Sequence, residues 1–461
     1  MIGLTLMGLT ANSLKFVSAN KASVEDKASA EMAVEEAMAQ IDNMVATINT
    51  EISSNRLLID SVKMRVQSAL DQIKSRGTHP FTITHTTKNN MENGAYVENV
   101  MIKAPIGKSG KYIIKTLNLS TISKIFNYTV VSPGNLSLFG APYIEGDVLV
   151  GGNINTLNLF GSPSIKGNLM VKGKYYTGFI GLTEYLPTEN NLKKYFSVPP
   201  IIKQWQETEI VPINVINSIE AKSSPLKTTM SITKLKDALQ SPNQIGYSAA
   251  SNITIKRNES FTINGNLVVP GNFIMEQGST LNINGSIMVY GAAELSGTLK
   301  FTENNYLYVK KKAILANLIL EGPVYADDVV ELEQKIDSNG TIYVRNGATL
   351  IDFFSNTQHQ TLIIASNGPI NLFFNNIFRE DPEVMNAFFY TNSSLNMLGI
   401  TSNIRINGGI YGNPINLAAL NTKNLQLSIL YNHDMLKNMP IGIPTASKIT
   451  IKELNTVYDN K

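Results

Sequence analysis

The apolar positions near the start of the chain repeat with helical spacing. From Val34 to Ile73 they follow one another at alternating steps of four and three residues, and neither proline nor glycine interrupts them. This spacing places one apolar seam along one side of an α-helix. A helix that began near Lys15 would be ~60 residues and ~90 Å long, and a rod of that length cannot bury its own seam. The seam consists of Val34, Met38, Ile41, Val45, Ile48, Ile52, Asn55, Ile59, Val62, Val66, Ala69 and Ile73.

One position of this seam is polar. A lone asparagine at a core position can fix the register of helix pairing at some loss of stability. Alternatively, Asn55 marks the point where the seam meets the edge of the domain that covers it. Gly77 and Pro80 follow the seam as helix-ending signals. The pattern therefore predicts one long helix within residues 1–76.

A short apolar patch precedes the seam and comprises Ile2, Leu4, Leu6, Met7 and Leu9. Its length is well under the ~20 residues that span a bilayer, and no basic leader or signal-cleavage pattern stands before it. We expect a chain that is soluble as written. We interpret the patch as the end of a longer apolar segment, used for assembly or for contact with a membrane.

The composition changes sharply after the predicted helix. Short β-prone runs at 81–84, 112–119 and 128–131 are separated by Asn, Gly, Ser and Pro. Little helical periodicity remains. This change predicts a mainly β domain behind the helix.

A repeat occurs four times within this β-prone part. Its copies begin at Ile144, Ile165, Ile263 and Ile283, and each reads Ile-x-Gly-(Asp/Asn/Ser)-apolar-apolar-Val-x-Gly. The spacing within each pair is 21 or 20 residues, about one coil of a parallel β-solenoid. Weaker echoes follow at 342–350 and 404–420. The repeat predicts a parallel, right-handed β-helix.

The residues of the repeat have separate physical roles. Gly146, Gly167, Gly265 and Gly285 stand where every coil turns a corner, and glycine takes positive φ without steric cost. Asparagines stacked at such corners can form amide ladders. Period-2 alternation predicts one inward-facing set, namely Ile144, Val148, Val150, Ile165, Leu169, Val171, Ile263, Leu267, Val269, Ile283, Ile287 and Val289.

The region between the two pairs differs in composition. Residues 184–248 carry six prolines and the only tryptophan, Trp205, and a short helix is predicted at 232–239. We expect this region to project from the solenoid or to cover its side, with solenoid parts at 77–183 and 249–461. A second short helix is predicted at 380–389, with Asp381 as its cap and Pro382 at its first position.

Composition excludes several classes of function. The net charge is +3, and Lys310–Lys312 is the only basic triplet, so we expect no nucleic-acid partner and interpret the triplet as a solvated edge. Charged residues make up 16% of the chain against a usual ~25%, so Asn, Ser and Thr must cover much of the surface. Cysteine is absent, which excludes disulfides and thiolate sites.

The four histidines give no metal signal. His79, His85, His359 and His433 are far apart in sequence and lack the helical spacing of a zinc site. His79 and His85 could meet across a turn, but we interpret them as ordinary loop residues. We expect neither a metal nor a cofactor.

Carboxylates are the remaining candidates for catalysis, since solenoids do host polysaccharide lyases and hydrolases. Asp327 and Asp328 are adjacent, Glu331 and Glu333 follow, and a Glu380–Asp381 pair stands beside Arg379. Glycoside cleavage requires two carboxylates that face each other across ~5 to 9 Å, and neighbours on a strand point to opposite faces. We therefore expect no catalytic residue.

Two stretches resemble known families. Residues 4–12, followed by Ala30, Ala33, Glu35 and Ala37, resemble the N-terminal segment of PilX-type minor pilins of type IV pili. The four coils resemble those of bactofilin-type polymer-forming β-helices. The pilin resemblance departs in one respect, because such pilins have a basic leader and a longer apolar segment.

These resemblances imply a structural, membrane-anchored protein of the bacterial cell envelope, with an extracytoplasmic solenoid on a pilin-like stalk. Its implied partners are other pilin-like subunits or envelope assembly proteins, with a membrane and a surface polysaccharide as further candidates. The alternatives are a carbohydrate-active β-helix enzyme and a self-polymerising scaffold. An enzyme should carry an aromatic strip and several acids on one face, whereas a polymer former should have two uncapped apolar ends.

Overall fold

A computed structural model describes the backbone of residues 2–54, 61–75, 79–87, 96–178, 183–205, 212–302, 305–354, 361–375, 382–400, 402–420, 427–432 and 440–459. The side chains of 2–16, 18–19, 53, 353–354 and 445–447 lie outside this description. Asn55 and Ile59 of the predicted seam, His359, His433 and the trio Arg379–Asp381 also lie outside it.

The described helices are α1 (Ile2–Ser53), α2 (Val62–Gln72), a 3₁₀ turn (Lys124–Asn127), α3 (Glu189–Leu192), α4 (Val215–Glu220) and α5 (Leu235–Ala238). The described strands are β1 (Thr82–Thr87), β2 (Val97–Ile106), β3 (Lys111–Ile122), β4 (Val130–Ser132), β5 (Leu136–Gly140), β6 (Tyr143–Glu145), β7 (Val148–Val150), β8 (Ile154–Leu157), β9 (Ser164–Lys166), β10 (Asn168–Val171), β11 (Tyr175–Thr177), β12 (Thr183–Tyr185), β13 (Ile201–Lys203), β14 (Met230–Ile232), β15 (Gly246–Ala249), β16 (Ile253–Ile255), β17 (Ser260–Asn264), β18 (Asn266–Val269), β19 (Phe273–Met275), β20 (Thr280–Asn284), β21 (Ile287–Val289), β22 (Ala293–Phe301), β23 (Leu307–Val309), β24 (Ala313–Glu321), β25 (Val324–Ala326), β26 (Val329–Val344), β27 (Gly347–Phe354), β28 (Leu362–Ser366), β29 (Ile370–Phe374), β30 (Glu383–Thr391), β31 (Leu395–Ile400), β32 (Ile404–Tyr411), β33 (Ile415–Leu420), β34 (Leu427–Tyr431) and β35 (Thr445–Asp459).

The chain divides into two compact units. The helix–sheet unit comprises Met1–Met91, Ala95–Ile122 and Thr445–Lys461, and the solenoid unit comprises Glu92–Gly94 and Ser123–Pro444. The solenoid unit is thus inserted into the helix–sheet unit between β3 and β35. The predicted boundaries at 77–183 and 249–461 are wrong in this respect, because β1, β2, β3 and β35 belong to an antiparallel sheet. Their β-propensity indicated strands but not the partners of those strands.

The helix–sheet unit is a four-stranded antiparallel sheet in the order β1-β2-β3-β35, with α1 and α2 on one face. Its register pairs Val100 with Leu117, and both side chains are fully buried under the helices. Alternation along β2 and β3 supplies this apolar face. The sequence-distant strand β35 completes it through Ile449.

The apolar seam is buried on this sheet, but one continuous helix does not carry it. Helix α1 ends at Ser53 and α2 runs separately from Val62 to Gln72. In a continuous helix, Gln40 and Lys74 would lie roughly 50 Å apart, yet the Gln40 side chain donates a hydrogen bond to the Lys74 carbonyl at 3.2 Å. Helix α2 therefore folds back along α1.

The helix ends at Ser53 for a local reason. Serine and asparagine side chains compete for backbone hydrogen bonds and favour turns, and the sequence there is Ser53-Ser54-Asn55. The Ser54 hydroxyl donates to the Thr50 carbonyl at 2.9 Å. The 4-3 spacing continues past this turn because both helices bury their seams in one core, which contains Val34, Met38, Ile41, Val45, Ile48, Val62 and Val66, with Ile52 and Ile73 packed against it.

The solenoid unit is a parallel β-solenoid of about 13 turns, and the chain is mainly β, with 51% strand. This confirms the predicted fold class of a β-solenoid preceded by an N-terminal helix; the right-handedness stays a prediction. The inward-facing residues are also confirmed. Eleven of the twelve are buried in one core, and the twelfth, Val171, packs against it.

The chain enters the solenoid in the middle of the stack. Coils from β4 to β11 progress toward one end, where β13 pairs with β10. The chain then crosses to the other end, where β14 pairs with β15. From there the coils progress back until β32 pairs with β4 and β33 with β5. The two halves of the fourfold repeat therefore lie on opposite sides of this joint.

The repeat glycines serve two purposes. Gly146 and Gly265 have φ of 125° and 107°, as predicted for the corners. For Gly167 and Gly285 the reason is close approach, because a Cβ on either would lie 2.2 or 2.3 Å from the carbonyl oxygen of Gly146 or Gly265 in the adjacent coil.

The polar position that follows the glycine joins adjacent coils. The Asn266 side chain accepts a hydrogen bond from the Ser286 amide at 3.0 Å. The Asp147 carboxylate accepts one from the Asn168 amide at 3.2 Å. Each side chain thus satisfies a backbone donor of the next coil, which explains why the repeat requires Asp, Asn or Ser there.

Two predicted helices differ in the structure. The first is one turn, α5, and the Asp237 carboxylate accepts hydrogen bonds from the amides of Thr233 and Lys234. The second does not form, because Glu383–Thr391 is strand β30, which pairs with β28 and β32. Strand pairing on both sides overrides the local helix signal given by Pro382.

Candidate functional surfaces

The described side chains before Ser29 on α1 are exposed, and their contacts with the sheet include Asp26 beside Gly107 and Lys27 4.8 Å from the Tyr458 ring centroid. From Ala30 onward one side of the helix is buried on the sheet, whereas Val17 and Val24 are 61% and 68% exposed. The apolar patch Ile2–Leu9 belongs to the same helix, although its side chains lie outside the description. The buried part of the helix therefore continues into a part that offers apolar positions to a partner.

Between α1 and α2 lies an open cavity of about 340 Å³. Its lining is rich in amides, and one rim carries the Arg65–Glu51 ion pair at 2.8 Å. The lining residues are Gln40, Asn43, Met44, Thr47, Arg65, Ala69, Gln72 and Ile73. The cationic group is already neutralised by Glu51, so the cavity presents no unpaired charge to a ligand.

A polar cluster fixes α2 to the sheet. The Glu98 carboxylate is fully buried and accepts hydrogen bonds from Thr87 at 2.7 Å and Tyr96 at 3.0 Å. His85 lies between two acids, with Nδ1 2.7 Å from Glu98 and Nε2 3.1 Å from Asp71 on α2. Burial alone would lower the pKa of His85, but hydrogen bonds to Asp71 and Glu98 outweigh it and raise that pKa.

This cluster was missed by sequence reasoning. His85 does not meet His79, whose ring lies 2.7 Å from the Ser29 hydroxyl. A signal for the cluster did exist, because His85 and Thr87, like Tyr96 and Glu98, are separated by two positions on a strand and so share one face.

The candidate catalytic acids are engaged singly. Asp327 pairs with Arg345 and accepts a hydrogen bond from Tyr308 at 3.2 Å. Asp328 accepts one from Asn346 at 3.0 Å. These contacts join adjacent coils, and Arg345 also contacts Glu220 on α4 at 3.5 Å.

Glu331, the next candidate acid along the chain, also contacts an adjacent coil. Glu331 pairs with Lys312 at 2.7 Å. Across the described residues, no group of three or more His, Asp or Glu side chains is arranged to hold a metal ion.

An aromatic row does follow one face of the solenoid, which we call the first face. The outward residue of successive coils is Met288, Tyr308, Tyr325, Tyr343, Ala365, Tyr390 and Tyr411. Tyr325 stacks on Tyr343 with ring centroids 4.9 Å apart, and Tyr390 on Tyr411 at 4.5 Å. The Tyr390 and Tyr411 side chains are 0% and 4% exposed, so this row is not an accessible substrate strip.

The chain segment that links the solenoid ends covers the row. We call residues 204–229, between β13 and β14, the crossing segment. The Ile213 amide donates to the Tyr390 hydroxyl at 2.8 Å, Glu220 contacts Arg345 at 3.5 Å, and the Lys222 ammonium lies 4.9 Å from the Tyr306 ring centroid. Of the two alternatives for residues 184–248, projection from the solenoid or cover of its side, these contacts favour cover for this segment.

Burial of the row affects the pKa of its tyrosines. Burial first, and then the Asp327 carboxylate, raise the pKa of Tyr308 to about 12. The row is thus neutral throughout the physiological pH range.

The second face of the solenoid carries two outward rows over six coils. One is the amide row, Thr349, Asn371, Asn396, Asn416, Ser137 and Asn155, and the other is the apolar row, Ile351, Phe373, Leu398, Ala418, Phe139 and Leu157. An amide ladder lies on this strand row and not at the glycine corners where ladders were expected, because Asn396 donates to Asn371 at 2.8 Å and Asn416 to Asn396 at 2.9 Å. A sequence signal existed in the recurring apolar-(Asn/Ser)-x-apolar pattern, such as Ile370-Asn-Leu-Phe373 and Ile415-Asn-Leu-Ala418.

Both solenoid ends are capped. At the β13 end, Tyr175 is buried beneath Tyr195 and Phe196, with ring centroids 5.8 and 6.1 Å apart. At the β14 end, Leu235 and Ala238 of α5 are buried in the core. These caps disfavour a polymer built by stacking solenoid ends.

The described residues contain no helix with both the length and the hydropathy required to cross a bilayer.

Together these features define a class of protein, a helix on an antiparallel sheet with a capped parallel β-solenoid inserted before the last strand. No protein-family model matches the chain, and no curated protein matches it. Among solved structures, the chain is similar to the competence-associated pilin ComZ from Thermus thermophilus. The two chains are 12% identical, with a TM-score of 0.24 over 84% of this chain and 86% of that one. At this level of similarity, the function has to be argued from the geometry of this chain alone.

Proposed function

We propose that this protein is a structural, non-enzymatic component of a bacterial envelope assembly, a minor pilin-like subunit that displays its solenoid outside the cell. The observation that carries the proposal is the division of α1. Its seam from Val34 to Ile48 is buried on the protein's own sheet, whereas Val17 and Val24 are exposed. We infer that the part of α1 before Asp26, the residue that lies beside Gly107, is available to neighbouring subunits, an envelope assembly protein or a membrane.

The geometry of the helix supports an assembly role. About 28 residues of helix precede Ala30, which corresponds to roughly 40 Å. The sequence of this part begins with an apolar run, Ile2, Leu4, Leu6, Met7 and Leu9, as expected of a segment used for assembly or for contact with a membrane. The resemblance of this segment to PilX-type minor pilins points to the same role.

The absence of catalysis belongs to this proposal. Asp327, Asp328 and Glu331 each hold an adjacent coil through a side-chain partner, and the aromatic row is covered. We therefore expect the purified chain to cleave no common polysaccharide, and Asp327→Asn and Asp328→Asn to show the same lack of activity. Turnover by the purified chain that either change abolishes would support the enzyme alternative instead.

Deletion of the free helix segment tests the assembly role. The full chain and a form without Met1–Lys21 are compared by analytical ultracentrifugation and by flotation with anionic liposomes. We expect the full chain to self-associate or float, and the deleted form to stay monomeric in solution. Equal behaviour of the two forms would contradict the proposal and make α1 only a brace for the sheet.

A pair of point variants tests whether the amino-terminal segment of α1, and not the rest of the helix pair, mediates self-association. Val24→Glu places a charge on the exposed segment, and Met64→Glu places one on α2 at a side chain of similar exposure, 69%. We expect only Val24→Glu to weaken self-association, with both variants folded by circular dichroism.

A further inference from the structure

The second face of the solenoid is a long neutral surface. Its amide and apolar rows run side by side over six coils without a charged residue. Glu331 and Glu333 stand at the same two positions of the next coil and end this neutral stretch. At ~4.8 Å per coil the rows extend ~25 Å. Unlike the tyrosine row of the first face, the apolar row stays accessible, since Ile351 and Phe373 are 45% and 43% exposed.

The amide row retains hydrogen-bonding capacity. A carboxamide has two N–H donors and two acceptor lone pairs. In the ladder, Asn416 donates one N–H to the Asn396 oxygen and Asn396 donates one N–H to the Asn371 oxygen. Each of these bonds uses one N–H donor and one acceptor lone pair. Donors and acceptors therefore remain at each coil, and the ladder fixes their orientation, which reduces the entropic cost of binding.

The charge of this face selects the ligand. A nucleic acid or an acidic polymer requires Lys or Arg along its path, and the two rows have none. A neutral chain is the complement of such a surface. Extended β-1,4-linked sugars offer hydroxyl groups at their edges and apolar C–H faces on their rings, with a residue repeat close to the coil spacing.

We propose that the second face binds an uncharged, extended β-1,4-linked polysaccharide, with sugar hydroxyls on the amide row and sugar rings on the apolar row around Phe373. The chain runs across the coils, parallel to the solenoid axis. Because neighbouring sugars of a β-1,4 chain are turned by about half a rotation, every second sugar presents the same edge to the amide row, whereas each ring faces the apolar row. This proposal concerns the solenoid face alone and does not depend on the assembly role of α1.

Binding of defined probes tests the proposal. The full chain is titrated with cellohexaose and chitohexaose by calorimetry and is pulled down with insoluble cellulose and chitin. Phe373→Ser removes a ring from the apolar row, and Asn396→Asp places a charge in the amide row. The matched control is Ile319→Ser, because Ile319 is also 43% exposed but lies outside both rows.

We expect the wild type and Ile319→Ser to bind at least one neutral probe, with affinity reduced tenfold or more in Phe373→Ser and Asn396→Asp. Deletion of Met1–Lys21 should leave this affinity unchanged, which separates the proposal from the assembly role. Any of three results would overturn it: no binding of the four probes by folded wild type, equal binding by all variants, or stronger binding of heparin or single-stranded DNA.

Discussion

At the scale of single residues, the solenoid depends on the alternation between inward and outward side chains. Val269 and Val268 are neighbours on β18, but Val269 is fully buried whereas Val268 points outward and is partly exposed. The same charge should therefore destabilise the solenoid strongly at Val269 and only slightly at Val268.

Val269→Asp should destabilise the solenoid by ~3 kcal/mol or more, because it buries a charge that has no partner. Val268→Asp is the matched control and should change stability by less than ~1 kcal/mol. Urea unfolding followed by circular dichroism measures both. A melting curve of Val269→Asp equal to that of the wild type would contradict the inward assignment.

The His85 cluster predicts a pH dependence of the helix–sheet unit. Because the folded-state pKa of His85 is raised, its contribution is fully present below the unfolded-state pKa of ~6.5 and is lost as pH rises through the folded-state value. The groups that face the ring are Asp71 on α2 and Glu98 on β2, with Thr87 beside them. Protonated His85 therefore fastens α2 to the sheet.

We expect hydrogen exchange in α2 to become faster between pH 6 and pH 8, after correction for intrinsic exchange. His85→Gln should remove this dependence and cost about 1–3 kcal/mol of stability at pH 6, since the buried Glu98 loses a charged partner. Gln67→Ala, which removes only the donor to Thr87, should keep the pH dependence. An unchanged pH profile in His85→Gln would disprove the fastening role.

At the scale of elements, the crossing segment is the feature that makes the first face of the solenoid inaccessible. It lies on outward-facing side chains, which are not among the inward-facing and glycine positions that define the coil repeat. The contacts from Ile213 to Lys222 follow the order of the coils they cover. Its attachment is therefore distributed along its length and includes the buried side chains of Ile213, Val215 and Ile219.

Tyr390→Phe should loosen this segment. The change removes the hydroxyl that accepts from the Ile213 amide, which leaves a buried donor unpaired at a cost of about 1–3 kcal/mol. Hydrogen exchange at 212–222 should increase while the coil core stays protected. Tyr411→Phe keeps the stacked ring pair without a described contact to Ile213 and is the control; equal protection in both variants would contradict the assignment.

At the scale of the whole molecule, both units are closed by residues distant in sequence. In the solenoid unit, β4 pairs with β32 and β5 with β33. In the helix–sheet unit, β3 pairs with β35. Each unit therefore contains chain from both sides of the crossing segment, and neither can be complete before most of the chain has been synthesised.

A cut in the crossing segment should not separate the protein. A protease site inserted between Ser224 and Pro225 divides the chain into two fragments, each of which contributes strands to both units. We expect the cut protein to elute as one particle in size-exclusion chromatography and to separate only under denaturing conditions. Separation of the two fragments under native conditions would show that these long-range strand pairings do not keep them together.

Sequence patterns alone determined the repeating parts of this protein. The 4-3 spacing identified the buried helix seam, and the glycine repeat identified the coils and their inward residues, because both signals arise from local periodicity. The corner asparagines followed from the same repeat. Such features require no knowledge of which coil lies next to which.

Tertiary structure decided the rest, because pairing between distant segments leaves little trace in local pattern. The transfer of β1–β3 and β35 to a separate sheet and the strand at Glu383–Thr391 both result from partners that lie far along the chain. The tyrosine row of the first face and the rows of the second face illustrate the same division. The residues of these rows recur visibly in the sequence. Only the path of the crossing segment decides that the tyrosine row is buried and that the apolar row of the second face stays accessible.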